Sequence, residues 1–140
     1  RPKRNLLSPV AFPGTDGVLV CGRKTLQGAS SPPRVPYEPP AEACLWQRRI
    51  PVRVEAMILA GDTLVLAGPP DRIDSDDPLG TFEGRKGGVL LTLDSRTGET
   101  RQKLGLDAPP VFDGMAAAHG CLWISTQNGR LVCLGSPGSD

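Results

Sequence analysis

The sequence predicts an all-β protein made of antiparallel meanders stacked face on face. Three observations carry that expectation. Apolar residues come in short runs bounded by turn residues, too short for ordinary helices. One stretch, Ala56 to Leu93, recurs in degenerate form from Gly114 to Leu134. The strands so paired are apolar on both faces, so each sheet must be covered on both sides rather than wetted on one. With 140 residues, 17 of them Gly and 15 Pro, the chain suits one modest turn-rich domain or a piece of a larger protein.

Residues 1–8 read as a basic leader with no core of their own. The opening Arg-Pro-Lys-Arg has neither a starting Met nor the apolar stretch of a signal peptide, which suggests a mature chain or an excised fragment. Val10–Phe12 and Val18–Cys21 are apolar runs flanking Pro13-Gly14-Thr15-Asp16-Gly17, a weak hairpin signal. Residues 28–43 are Pro-rich and read as an extended surface loop or linker. A proline ligand for an SH3-like domain is the sharper reading, but short Pro runs are common in ordinary loops.

Leu45–Ile50, carrying Trp46, reads as a strand. From Pro51, Val52 and Val54 alternate with Arg53 and Glu55 and lead into Ala56–Gly68. Gly61-Asp62 is a Gly-first two-residue turn of the hairpin kind. It sets Ala60 against Thr63, Leu59 against Leu64, Ile58 against Val65 and Met57 against Leu66. Val89–Leu93 follows as a buried strand. In Asp94-Ser95-Arg96-Thr97-Gly98, Asp and Ser side chains bond nearby N–H groups and Gly supplies positive φ, a turn with a mechanism. Thr100, Gln102 and Leu104 then alternate with Arg101 and Lys103, as an exposed outer strand would.

The second copy aligns without a gap across its first hairpin. Met115 falls on Met57, Ala118 on Ala60, Leu122 on Leu64 and Ile124 on Leu66. Gly129–Leu134 then falls on Gly88–Leu93. The first copy inserts Pro69–Gly87 where the second has only Gln127-Asn128, so the insertion is expected to be an exposed excursion. Asn128-Gly129 is a strong two-residue hairpin signal. It predicts Ile124 opposite Cys133 and Trp123 opposite Leu134. Gly135-Ser136-Pro137-Gly138 does not continue as a packed strand, so this copy lacks its outer strand. Cys133 is then expected in an edge or near-edge strand, where unpaired backbone groups invite another chain.

Thr92–Gln102, TLDSRTGETRQ, resembles the PQQ-like (quinoprotein-like) β-propeller repeat, whose hallmark is A-x-D-x-x-T-G-x-x-x-W. Asp94, Thr97 and Gly98 match; Thr92 stands where the family has Ala, and Gln102 where it has a Trp that stacks between blades. The resemblance covers roughly residues 50–135. It implies a partial β-propeller of about two to three antiparallel meander blades with an inserted loop, a C-terminal propeller fragment of a bacterial protein. The implied layout is an N-terminal segment at 1–43 and a blade at 44–107 with its inserted loop at 69–87. An incomplete second blade follows at 108–135, then a disordered tail at 136–140. The implied role is a non-catalytic scaffold or protein-interaction module of an exported protein, in the periplasm or cell envelope. The alternative is a fragment of a quinoprotein dehydrogenase, which would require calcium ligands, a catalytic Asp and adjacent cysteines.

The chemistry-bearing residues give no catalytic constellation. A net charge of +1 makes no electrostatic case for nucleic acid or an anionic membrane. No apolar run approaches the ~20 residues that would span a bilayer. Cys21, Cys44, Cys121 and Cys133 form no C-x-x-C pair, so they read as buried reduced thiols, with disulfides open to an exported protein. Asp71, Asp74, Asp76 and Asp77 alternate as calcium ligands can, but they lack the Gly and closing Glu of an EF-hand and read as a solvated loop. Gly80–Gly88 has Gly after Lys86 where a phosphate loop needs Ser or Thr, so Arg85 and Lys86 read as the exposed end of the insertion. His119, the one histidine, falls at a hairpin turn beside Gly120. Trp46 and Trp123 read as blade core, and an aromatic content of 4% leaves no stacking platform for single strands or sugars. The sequence therefore assigns no catalytic, cofactor-binding or metal-binding residue and no cofactor. The partner it points to is another protein, met through inter-strand loops, or a second copy met at an open edge.

Overall fold

The computed structural model describes residues 18–23, 44–72, 74–81 and 83–135. The leader, Val10–Phe12, the Pro-rich stretch and the C-terminal tail lie outside these residues. The elements are β1 (Val18–Arg23), β2 (Cys44–Ile50), β3 (Ala56–Ala60), β4 (Thr63–Gly68) and β5 (Gly88–Asp94). They continue as β6 (Thr100–Leu106), β7 (Pro110–Ala118), β8 (Cys121–Thr126) and β9 (Leu131–Gly135). They form three antiparallel sheets, ordered β1-β2, β3-β4-β5-β6 and β7-β8-β9. The expected all-β, antiparallel meander architecture is thus present. Among the described residues no helix is long and apolar enough to cross a membrane.

The first hairpin has the expected register, with Met57 opposite Leu66, Ile58 opposite Val65, Leu59 opposite Leu64 and Ala60 opposite Thr63. At its turn Gly61 has φ 61°, while Asp62 is not in the left-handed region, the pattern a Gly-first turn requires. The second hairpin repeats it: Met115 faces Ile124, Ala117 faces Leu122 and Ala118 faces Cys121. Here both turn residues, His119 at φ 52° and Gly120 at φ 73°, are left-handed. His119 is a turn residue, as expected. The third strands agree as well, with Leu64 opposite Leu93 and Leu122 opposite Leu134.

The connection from β8 to β9 corrects one expectation. Trp123 faces Cys133 and Ile124 faces Val132, one residue away from the register that a two-residue Asn-Gly turn would impose. Only Gly129, at φ 78°, is left-handed, whereas a two-residue turn of that type needs Asn128 there too. The loop is instead the three residues Gln127-Asn128-Gly129. It is closed by Thr126 N–H donating to Arg130 O at 2.9 Å and Gly129 N–H donating to Thr126 O at 2.9 Å. The Thr126 hydroxyl adds bonds to Asn128 Oδ1 at 2.6 Å and Arg130 O at 2.9 Å. That side-chain bonding selects the longer loop. A one-residue slip exchanges the faces of a strand, and the slip puts Val132 and Leu134, not Cys133, on the side of Ile124.

The sheets stack in chain order, with β3–β6 in the middle. One face of the middle sheet, Leu66, Leu91 and Leu93 with Leu64 and Val89, packs against Ile50, Val52, Val18, Val20 and Trp46. Its other face, Val65, Ala67 and Leu90, packs against Ile124, Met115, Leu122, Val132 and Leu134 of the third sheet. Strand periodicity of two makes this sorting automatic. Each fully buried Leu or Ile stabilises by roughly 1.5–3 kcal/mol, and none of the sheets alone could cover these side chains. β2 pairs with β1, not with the strands that follow it, so Cys44–Ile50 belongs to the first sheet.

The first and middle sheets meet in a specific contact. The Trp46 indole Nε1 on β2 donates to Ser95 O at 2.9 Å in the turn between β5 and β6. Its ring lies against both Gly22 and Gly98. Gly98 is left-handed at φ 72°, and a Cβ there would strike the indole, so two separate constraints require glycine. The turn itself forms as the sequence implies: Asp94 Oδ1 accepts from Arg96 N–H at 2.8 Å and Thr97 N–H at 3.2 Å.

Candidate interaction surface

The 69–87 connection is not a uniformly exposed excursion. Its first residues extend the sheet: Val52 bridges Pro70, Arg53 N–H donates to Pro69 O at 2.9 Å, and Asp71 N–H donates to Pro51 O at 3.0 Å. Asp71 is therefore buried, not solvated, and among the described residues neither of its carboxylate oxygens has a hydrogen-bond partner. Thr81 is buried too, its hydroxyl donating to Arg72 O at 3.0 Å. The backbone pairing draws the first end of the loop inward, a tertiary effect absent from the local composition.

The outer part of the loop folds on its own charges. Lys86 Nζ lies 2.8 Å from Asp74 Oδ2 and 3.5 Å from Asp77 Oδ2. Arg85 reaches Asp77 at 2.6 Å and also pairs with Glu83. The hydrogen bond from Lys86 and the Asp76 N–H hold the Asp74 carboxyl below the usual range, and Arg85 does the same for Asp77. The two cations expected at an exposed tip are thus paired with Asp74 and Asp77, two of the four carboxylates that alternate along the loop. Among the described residues no cluster suits a metal ion. Replacing residues 72–86 by a short Gly-Ser linker, with Pro69–Asp71 kept, is expected to leave β-sheet circular dichroism and a single cooperative melt. Removing Pro69–Asp71 as well is expected to lower the melting temperature. Equal loss in both would place the outer loop in the core.

A second charge cluster ties the turns of the middle sheet together. Arg101 on β6 donates to Asp62 Oδ1 and Oδ2 at 3.0 and 2.9 Å and to Asp94 Oδ2 at 2.6 Å. The Arg101 bonds to Asp62, with one from Thr63, lower the pKa of the Asp62 carboxyl from 3.8 to about 2. A depressed carboxylate stabilises above its unfolded value and loses that stabilisation as pH falls through its folded value. The contribution of Asp62 is therefore full above pH 4 and disappears toward pH 2. In an NMR titration, Arg101→Gln is expected to move the Asp62 midpoint upward toward 3.8. An unmoved midpoint would remove Arg101 as the cause.

Among the described residues one face of the third sheet is left open. Residues equivalent to Val65, Ile58 and Leu90 of the middle sheet are Trp123, Ala116 and Leu131. In the middle sheet these positions are covered by the next sheet; in the third, Trp123 is 40% and Leu131 64% exposed. Trp123 is therefore not core, unlike Trp46. Cys133 stands on edge strand β9, as expected. Among the described residues the third sheet also has no counterpart of β6. That leaves Leu104 uncovered, 44% exposed, above a groove of about 520 Å³ lined by Leu90, Thr92, Gln102 and Leu134. On the opposite side, Met57 and Leu59 border a more apolar groove of about 640 Å³ between β1 and β3.

Sequence reading missed two features. The irregular pairing between Pro110 and Met115 turns Val111 and Phe112 into solvent, with Asp113 left-handed at φ 53° and Phe112 81% exposed. It also missed that Trp46 docks on the Asp94–Gly98 turn, 49 residues away. Gly98 of the Asp-x-x-Thr-Gly turn was the available signal, because a residue without a side chain leaves room for a ring, and Trp46 and Trp123 were the two indoles able to supply one. Compared with known proteins, the chain matches no family model, no curated protein and no solved structure.

Proposed function

We propose that this chain is a non-catalytic PQQ-like β-propeller scaffold, a protein-interaction module belonging to an exported bacterial protein. The observation that carries the reading is the Trp46 indole seated on Ser95 and Gly98 of the neighbouring sheet. In the repeat that Thr92–Gln102 resembles, a Trp stacks between blades; here Gln102 leaves that place empty on β6 and Trp46 makes an inter-sheet contact of that kind on the same turn. Stacked sheets of one register, covered on both faces where a neighbour exists, fit blades that fold only in company. The open Trp123–Leu131 face then receives a further sheet, and the 69–87 loop and Phe112 offer contacts to a protein partner.

Sedimentation of the wild type against Trp123→Lys with Leu131→Lys tests the docking face. The wild type is expected to self-associate with rising concentration and the variant to remain monomeric. A wild type monomeric at high concentration would overturn docking through this face. The non-catalytic part is tested separately by incubating the protein with pyrroloquinoline quinone and calcium, followed by gel filtration. No quinone is expected to co-elute; a retained, redox-active quinone would overturn it.

A further inference from the structure

We propose that Cys121 and Cys133 form a dithiol–disulfide site that closes across β8 and β9 on exchange with a small-molecule disulfide. No disulfide joins any of the four cysteines in the structure. Two of them are nevertheless placed as a pair. Cys121 lies opposite Gly135 and Cys133 opposite Trp123 on the adjacent strand, so the two cysteines are diagonal neighbours on one face. The Cys121 sulfur leans over β9 into the space left by the missing side chain: a Cβ on Gly135 would lie 2.7 Å from Sγ. With any larger residue at 135 the sulfur would be pushed back toward its own strand.

The two thiols are unequal. Cys133 is exposed on the edge strand, and Cys121 is half-buried beside it. Desolvation and then the neighbouring Cys121 thiol push the Cys133 thiol up. Exposure makes Cys133 the entry point, and the raised value makes the reaction faster in alkaline solution, because the thiolate is the attacking species. The Cys133 thiolate attacks one sulfur of the small disulfide; its S–S bond breaks and one thiolate leaves. The Cys121 thiolate then attacks the Cys133 sulfur of the mixed disulfide and expels the second thiolate. Two protein thiols and one small disulfide become one protein disulfide and two small thiols, with the two cysteine protons ending on the leaving groups. Cys44 is buried on β2, with Gln47 Nε2 donating to its sulfur at 3.4 Å, so it is expected to react more slowly.

The bridge would fix the register of β9, an edge strand, and so respond to the redox state of the compartment. The test uses the full chain incubated with oxidised glutathione, acid-quenched, digested without reduction and read by mass spectrometry. The wild type is expected to yield a peptide joining Cys121 to Cys133 with no retained glutathione on either. Cys121→Ser is expected to accumulate one glutathione on Cys133, because the resolving thiol is gone. Wild-type protein that stops at a glutathione adduct on Cys133, or that bridges only between copies, would overturn the proposal. So would an intramolecular bridge that uses Cys21 or Cys44 instead.

Discussion

Leu66→Ala and Ile124→Ala are each expected to lower stability by about 2–5 kcal/mol, the range for emptying a buried aliphatic site. Both side chains are completely buried. They occupy the same position of the repeat, each on the second strand of its sheet and opposite a Met on the first. They do not serve the same interface: Leu66 packs toward the first sheet and Ile124 toward the middle one. Equal penalties from two interfaces are what stacked repeats of one register require. Urea denaturation followed by circular dichroism measures both. A near-neutral result at either position would break the equivalence. Leu64→Ala and Leu122→Ala, at the half-buried site two residues earlier, are expected to follow the same parity with smaller losses.

Trp46→Ala is expected to cost about 3–5 kcal/mol, at the upper end for a core truncation. The change removes the ring against Gly22 and Gly98 and leaves Ser95 O without its 2.9 Å donor. Trp46→Phe separates the two parts: it keeps much of the ring and loses the hydrogen bond, a difference of about 1 kcal/mol. Gly98→Ala attacks the same contact from the turn, combining positive φ with a collision against the indole. Quenching of Trp46 fluorescence by iodide follows the undocking, provided Trp123 is first replaced by Phe. If Gly98→Ala leaves both stability and quenching unchanged, the indole is not seated on that turn.

The sequence by itself determined the local pairings. Gly61-Asp62 needs one positive φ, and only the flanking register Ala60–Thr63 lets the strands close on it. Asp94, Thr97 and Gly98 carry their turn in their own side chains and backbone freedom. Alternating apolar residues on both faces of Ala56–Gly68 already required a covering sheet on each side. These features act over a few residues, so composition and spacing suffice to read them.

The loop between β8 and β9 is local too: Asn128-Gly129 invites a two-residue turn, but the Thr126 hydroxyl and the Arg130 carbonyl four residues on close a longer one and shift β9 by a residue. Tertiary structure decided the rest. Asp71 reads as a solvated acid until Pro51 O captures its N–H and draws it inside. Trp46 and Trp123 are indistinguishable by type; one meets a neighbouring turn and the other is exposed, because a neighbouring sheet covers the side that Trp46 faces and, among the described residues, none covers the side that Trp123 faces. Which indole docks and which carboxylate is buried depend on contacts between residues far apart in the chain. Such contacts are set by the stacking of whole sheets, and no local pattern of side chains encodes them.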